Sequence, residues 1–199
     1  MVRMEWKGQE MARRWIEEIR QRGQLSIFAV PNPIWDNAFR RAFILFNLFA
    51  VVRDLGVILT PGTSPPNANG TGAEVQFSTF PSNKFEEGHT DFSRRSGDPP
   101  DRVAIALITV PSNPQTVSLH PRPIGEEPKV HMVAHELIHA CGLANSDHTP
   151  DSIADVFSDQ WIPDFDGAPQ DDGMHLGQIK SPPFVFSVRT AQLIRKLWK

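Results

Sequence analysis

The chain has 199 residues, with 20 Lys plus Arg against 23 Asp plus Glu and a formal net charge of −3. That length suits one domain with a proper hydrophobic core, and 40% apolar with 22% charged residues excludes a disordered chain. The slight acidity argues against a nucleic-acid binder, which usually carries a basic patch, and the single cysteine, Cys141, excludes an intramolecular disulfide framework.

The N-terminus, MVRMEWKGQEMARRWIEEIR, has charges every few residues and no apolar centre, so it is not a Sec-type signal. The longest apolar run, Ala42 to Val52, is broken by Asn47 and is too short to span a bilayer. The expected location is the cytoplasm, or outside the cell by a non-classical export route. Residues 4 to 22 read as a helix, with Met4, Trp6, Met11, Trp15, Ile16 and Ile19 as its apolar stripe. Gln24 to Val30 reads as a strand stopped by Pro31 and Pro33. Ile34 to Leu55 reads as a longer helix, apolar on most faces and therefore largely buried.

Val57 to Thr60 is a short strand, Pro61 to Gly72 a loop of turn formers, and Glu74 to Phe80 a half-buried strand by its alternation. Pro81 to Asp101 reads as a polar loop. Arg102 to Val110 has the strongest strand pattern, with Gln115 to Leu119 as its shorter neighbour. A helix is expected from about Lys129 to Cys141, with Pro128 at its first position and Gly142 as its terminator. From Gly142 to Gln178 the chain has no Lys or Arg and eight Asp, with little periodicity. Val188 to Trp198 closes it as a helix.

The chemistry lies in Val133 to His148, VAHELIHACGLANSDH. His135 and His139 are four apart on a helix, so their rings lie about 40° apart around the axis, one turn apart along it. Two imidazoles so placed reach one tetrahedral metal ion, and zinc favours nitrogen ligands of this kind. Glu136 lies beside the pair, where it can act as general base on a water that the metal acidifies. The residues leave the third ligand open. No Glu follows Glu136, which disfavours the thermolysin type, whereas eight Asp and two further His do follow it.

The segment resembles the metzincin signature His-Glu-x-x-His-x-x-Gly-x-x-His, most closely its matrixin branch. His135, Glu136, His139 and Gly142 match position by position, but the third-ligand position holds Asn145, and a neutral amide is a poor zinc ligand. His148, three residues on, is the first choice for that role; Asp147, a later Asp and His175 are the alternatives.

The resemblance implies an α+β metzincin-like fold: a mixed twisted sheet, two long helices above the cleft, and an irregular lower subdomain ending in a helix. It divides the chain into an N-terminal helical extension, 1–23, and a catalytic domain, 24–199, whose upper part is 24–142 and lower part 143–199. It implies a methionine turn beneath the metal, for which Met174 is the candidate. It also implies one catalytic Zn2+, with peptide-bond hydrolysis in an extended substrate paired to a sheet edge, here Arg102 to Val110 or Gln115 to Leu119. The chain has no Tyr, so the tyrosine ligand of astacin-like and serralysin-like members has no counterpart, and Cys141, lying within the helix, leaves no cysteine for a switch propeptide.

His131, one turn before His135, reads as a cleft-rim residue. His89 and Asp91 read as part of a solvated loop. The Asp-rich stretch could hold Ca2+ but has no EF-hand spacing, and scattered Asp is ordinary turn chemistry. The function expected is a zinc metalloendopeptidase acting on peptide or protein substrates, with no nucleic-acid partner and no membrane span; oligomeric state is not readable from the pattern. The alternative is a non-catalytic zinc-binding structural or interaction protein of a larger assembly.

Overall fold

A computed structural model describes residues 12–84, 88–115, 123–149, 155–158 and 185–199. In chain order these form β1 (Arg14–Trp15), α1 (Glu17–Arg22), β2 (Gln24–Ala29), α2 (Asp36–Val52), β3 (Ile58–Pro61), β4 (Val75–Phe80), β5 (His89–Ser93), β6 (Arg102–Val103), β7 (Ile105–Pro111), α3 (Glu126–Ala140), a 3-10 turn (Asn145–Asp147) and α4 (Val188–Trp198). The architecture is mixed α and β. Among the described residues no helix is long and apolar enough to cross a membrane.

The main sheet has five strands in the order β3-β2-β4-β7-β5. β2, β3, β4 and β7 run parallel, and β5 pairs antiparallel with β7 at one edge, Thr90 opposite Ile108. Parallel neighbours need crossovers, and α2 supplies the one between β2 and β3. Leu25, Ile27, Val75, Phe77, Ala106 and Ile108 alternate along their strands and are buried, as a pleated sheet with one helix-covered face requires. Phe77 packs edge-on against Trp35, with ring centres 6.3 Å apart, and lies 4.9 Å from Phe39 of α2. α2 also packs along α3, and α3 meets β7 and β5, which carries the histidine-bearing helix to the antiparallel edge.

Several local readings are corrected by tertiary structure. Of the helix expected over 4–22, the described part is helical only at Glu17–Arg22; Arg14–Trp15 pair in parallel with Arg102–Val103 instead. Trp15 is 1% exposed and gives its indole N–H to Ala140, so burial and one buried hydrogen bond override the helical stripe. α2 is less buried than its composition suggests, because Ile44, Leu48, Val51 and Val52 face outward. The loop expected over 81–101 contains β5. The strand expected over Arg102 to Val110 is divided at Ala104, with β6 pairing to β1 and β7 to the main sheet. Gly125 caps α3, so Pro128 sits third in the helix, still within the turn whose N–H groups lack intrahelical partners. β7 is flanked on both sides, so it is not the edge; among the described residues β5 is. Of Gln115 to Leu119 only Gln115 is described, in isolated bridges to Lys84 and Pro123.

Candidate metal centre

α3 places His135 and His139 on one face, one turn apart. The helix ends at Gly142, whose φ of +107° suits glycine, and a Cβ there would strike the Arg13 carbonyl. The chain then turns through Asn145–Asp147 and brings His148 back to the helix. Asn145 is exposed, and the Asp147 carboxylate accepts the Ala144 N–H at 3.0 Å, closing this turn.

The His139 Nε2 lies 3.1 Å from the His135 Nε2 and 3.1 Å from the His148 Nε2. Ligand atoms of the three residues all lie within 4.8 Å of one another, so they could hold one metal ion. The opposite ring atoms are fixed by the backbone. His135 Nδ1 donates to the Val156 carbonyl at 2.9 Å, and His139 Nδ1 to the Leu143 carbonyl at 2.9 Å. A carbonyl can only accept, so these Nδ1 atoms carry the hydrogens. Burial lowers His135 well below its ordinary pKa and His139 to about 4, so both rings are neutral near pH 7 and their Nε2 lone pairs point into the shared space.

Phe157 closes the site from below. It is fully buried, and its ring centre lies 5.3 Å from His135, 4.9 Å from His139 and 4.7 Å from His148. Glu136 is 4% exposed and its Oε2 accepts the Thr90 hydroxyl of β5 at 2.7 Å. Burial pushes its carboxyl up to about 7, against the lowering effect of Thr90 and with a smaller upward push from the Asp91 charge. The backbone of Gly88 passes close enough that a Cβ would lie 3.4 Å from Glu136 Oε1.

The structure thus brings His135, His139 and His148 together, while Glu136, next to His135 in the chain, is held by Thr90. Met174 and His175 lie outside the described residues, as do the Asp from Asp159 to Asp172. His131 is not a rim residue: it is 3% exposed, and burial takes its pKa down to about 3 despite the opposing charge of Asp155. His89 and Asp91 are not in a loop; they stand on β5, His89 Nε2 meeting Thr109 Oγ1 at 2.9 Å on the sheet face turned away from Glu136. The Cys141 thiol is buried and turned to the Leu137 carbonyl, and burial raises its pKa.

Three contributors went unseen in the sequence. Thr90 was hidden in a segment read as loop, and a strand reading of HTDF would have turned Thr90 and Phe92 to the same side. The Val156 carbonyl carries no side-chain signal at all. Phe157 was visible only as half of an apolar pair within the acidic stretch, eight to nine residues past His148. No protein-family model matches the chain, and no curated protein matches it significantly.

Proposed function

We propose that the chain is a metzincin-like, zinc-dependent endopeptidase. The observation that carries the reading is the convergence of His135, His139 and His148, the first two on a helix that also bears a buried carboxylate, Glu136. Tetrahedral zinc with bonds of about 2.0–2.1 Å holds nitrogen ligands about 3.3 Å apart. The two 3.1 Å separations from His139 are near that value, and all three ligand atoms lie within 4.8 Å of one another. So does the donor chemistry, with neutral imidazoles held by Nδ1–H bonds to carbonyls. The element order supports the same reading: strand, long helix, further strands, histidine helix and a final helix, around a mixed sheet.

Zinc bound there would supply Lewis acidity, making a water more acidic and polarising a scissile carbonyl. Glu136 takes the proton from the attacking water and passes it to the leaving amine. A carboxyl pushed up to about 7 by burial is matched to both halves of that shuttle near neutral pH. The Thr90 hydroxyl holds Oε2, and the general-base role falls to the other oxygen, Oε1. β5 is the sheet edge that reaches Glu136, so an extended peptide adding to β5 as a further strand places its backbone beside the three histidines.

The test is hydrolysis of a mixed-sequence peptide library by the zinc-loaded protein, read by mass spectrometry beside Glu136→Ala. The expected result is new termini from the wild type alone, with the variant still binding one equivalent of zinc. Intact libraries from a wild type that holds zinc would replace this reading with a structural zinc protein. Equal cleavage by both proteins would remove Glu136 from the chemistry.

A further inference from the structure

The resemblance assigns the floor of the site to a methionine, and Met174 lies outside the described residues; among the described residues the ring that meets all three imidazoles is that of Phe157. Phe157 sits in a turn, Asp155–Ser158, fixed on several sides. The Asp155 carboxylate accepts the Phe157 N–H at 3.1 Å. The Phe157 carbonyl accepts the Thr149 N–H at 2.7 Å, one residue after His148, and Val156 N–H reaches the Val185 carbonyl at 2.8 Å, just ahead of α4. The Val156 carbonyl is the one that orients His135. One short turn therefore touches the first ligand by its backbone, anchors the neighbour of the third, and presents one ring to all three.

Building on the zinc reading above, we propose that Phe157, held by the Asp155–Ser158 turn, is the positioning residue of the metal centre. Imidazole rings can rotate about two side-chain bonds. The Nδ1 hydrogen bonds restrain His135 and His139, and a flat apolar wall limits the remaining tilt of all three rings. The His148 and His139 rings meet Phe157 edge to face, at 78° and 67°, and the His135 ring is tilted at 39°. The buried Phe157 ring fills the space on that side of the ligands, so their geometry is set before metal arrives.

Cobalt replaces zinc as the probe, because its visible absorption reports coordination geometry independently of turnover. Wild type, Phe157→Leu, Phe157→Met, Phe157→Ala and Met174→Leu are titrated with Co2+ alone, with thermal unfolding of each metal-free protein as a folding control. Phe157→Leu keeps apolar bulk without the planar wall, and it stays informative if the alanine variant does not fold. The expected result is Co2+ affinity lowered about 10- to 100-fold in Phe157→Leu, with a shifted visible band, partial recovery in Phe157→Met, and no change in Met174→Leu. A folded Phe157→Leu with wild-type affinity and spectrum overturns the proposal and leaves the zinc reading intact, as does a Met174→Leu variant that alone shifts the band. A wild type that binds no Co2+ removes both.

Discussion

Trp15 and Trp198, from opposite ends of the chain, cap adjacent carbonyls at the end of the histidine helix. Trp15 donates its indole N–H to Ala140 at 3.0 Å, Trp198 donates to Cys141 at 2.8 Å, and their ring centres lie 6.5 Å apart. The next carbonyl, Gly142, accepts the Arg13 N–H at 2.6 Å. The last carbonyls of a helix have no intrahelical donors. Here the two termini satisfy them, which fixes the point where the chain turns toward His148.

That relationship gives a stability prediction. Trp198→Phe keeps most of the buried ring but strands the Cys141 carbonyl, and a buried acceptor left unpaired costs about 1–3 kcal/mol. Urea unfolding should show this as a lower midpoint with an unchanged slope. A midpoint equal to wild type would mean that water reaches this carbonyl.

Removal of a ligand separates His148 from Asp147. His148→Ala should abolish retention of one zinc equivalent through gel filtration. Asp147→Ala should retain it, since that carboxylate is engaged with the Ala144 N–H, and should lose only about 1 kcal/mol of stability from the turn. Chelation should lower the melting temperature of the wild type, and zinc should restore it, adding about 2.7 kcal/mol of stability at a hundredfold excess over Kd. Zinc lost by Asp147→Ala and kept by His148→Ala would reverse the assignment.

The legible parts were those whose physics is local. The His135 to His139 spacing fixes a shared helix face, and Gly142 must stop the helix. Val188–Trp198 is helical over the span expected, since its apolar positions Ala191, Ile194, Leu197 and Trp198 repeat at helical intervals. What escaped depended on partners distant in the chain. β5 has alternate polar residues and only Thr90 and Phe92 turned inward, so it resembles a loop until β7 supplies the hydrogen bonds. Trp15 fits a helical stripe as well as a strand, and only the Ala140 carbonyl decides between them. His148, expected by residue type and reach, does meet His139, but its placement goes with Thr149 meeting Phe157, a pairing that no local pattern encodes.

Glu74 yields a pH prediction away from the metal centre. It is 4% exposed; Oε1 meets Arg22 at 2.6 Å, and Oε2 accepts from the Ser26 N–H at 2.8 Å and from the Ser26 hydroxyl. Burial alone would raise its pKa, but the Ser26 bonds and the Arg22 charge together hold it below the ordinary 4.5. A carboxylate with a depressed folded pKa stabilises fully above its unfolded value and loses that contribution as pH falls toward its folded one. Glu74→Gln should therefore be about 1.5 kcal/mol less stable at pH 7, with the gap closing below about pH 4.5. A gap independent of pH would show that packing, not charge, accounts for the loss.

Thr90 reaches across from β5 to Glu136, so it links the proposed peptide-binding edge to the proposed general base. Thr90→Val preserves the strand and its shape but removes the hydroxyl that donates to Glu136 Oε2. The carboxylate then loses a hydrogen bond to its charged form, which raises its pKa further, and it gains rotational freedom at the site. Peptide hydrolysis should fall about tenfold in kcat at pH 7, with KM and zinc content close to wild type. Because a more basic Glu136 is ionised only at higher pH, the acid limb of kcat against pH should move upward. A loss confined to KM would place Thr90 in substrate docking on β5 and not in orientation of the base.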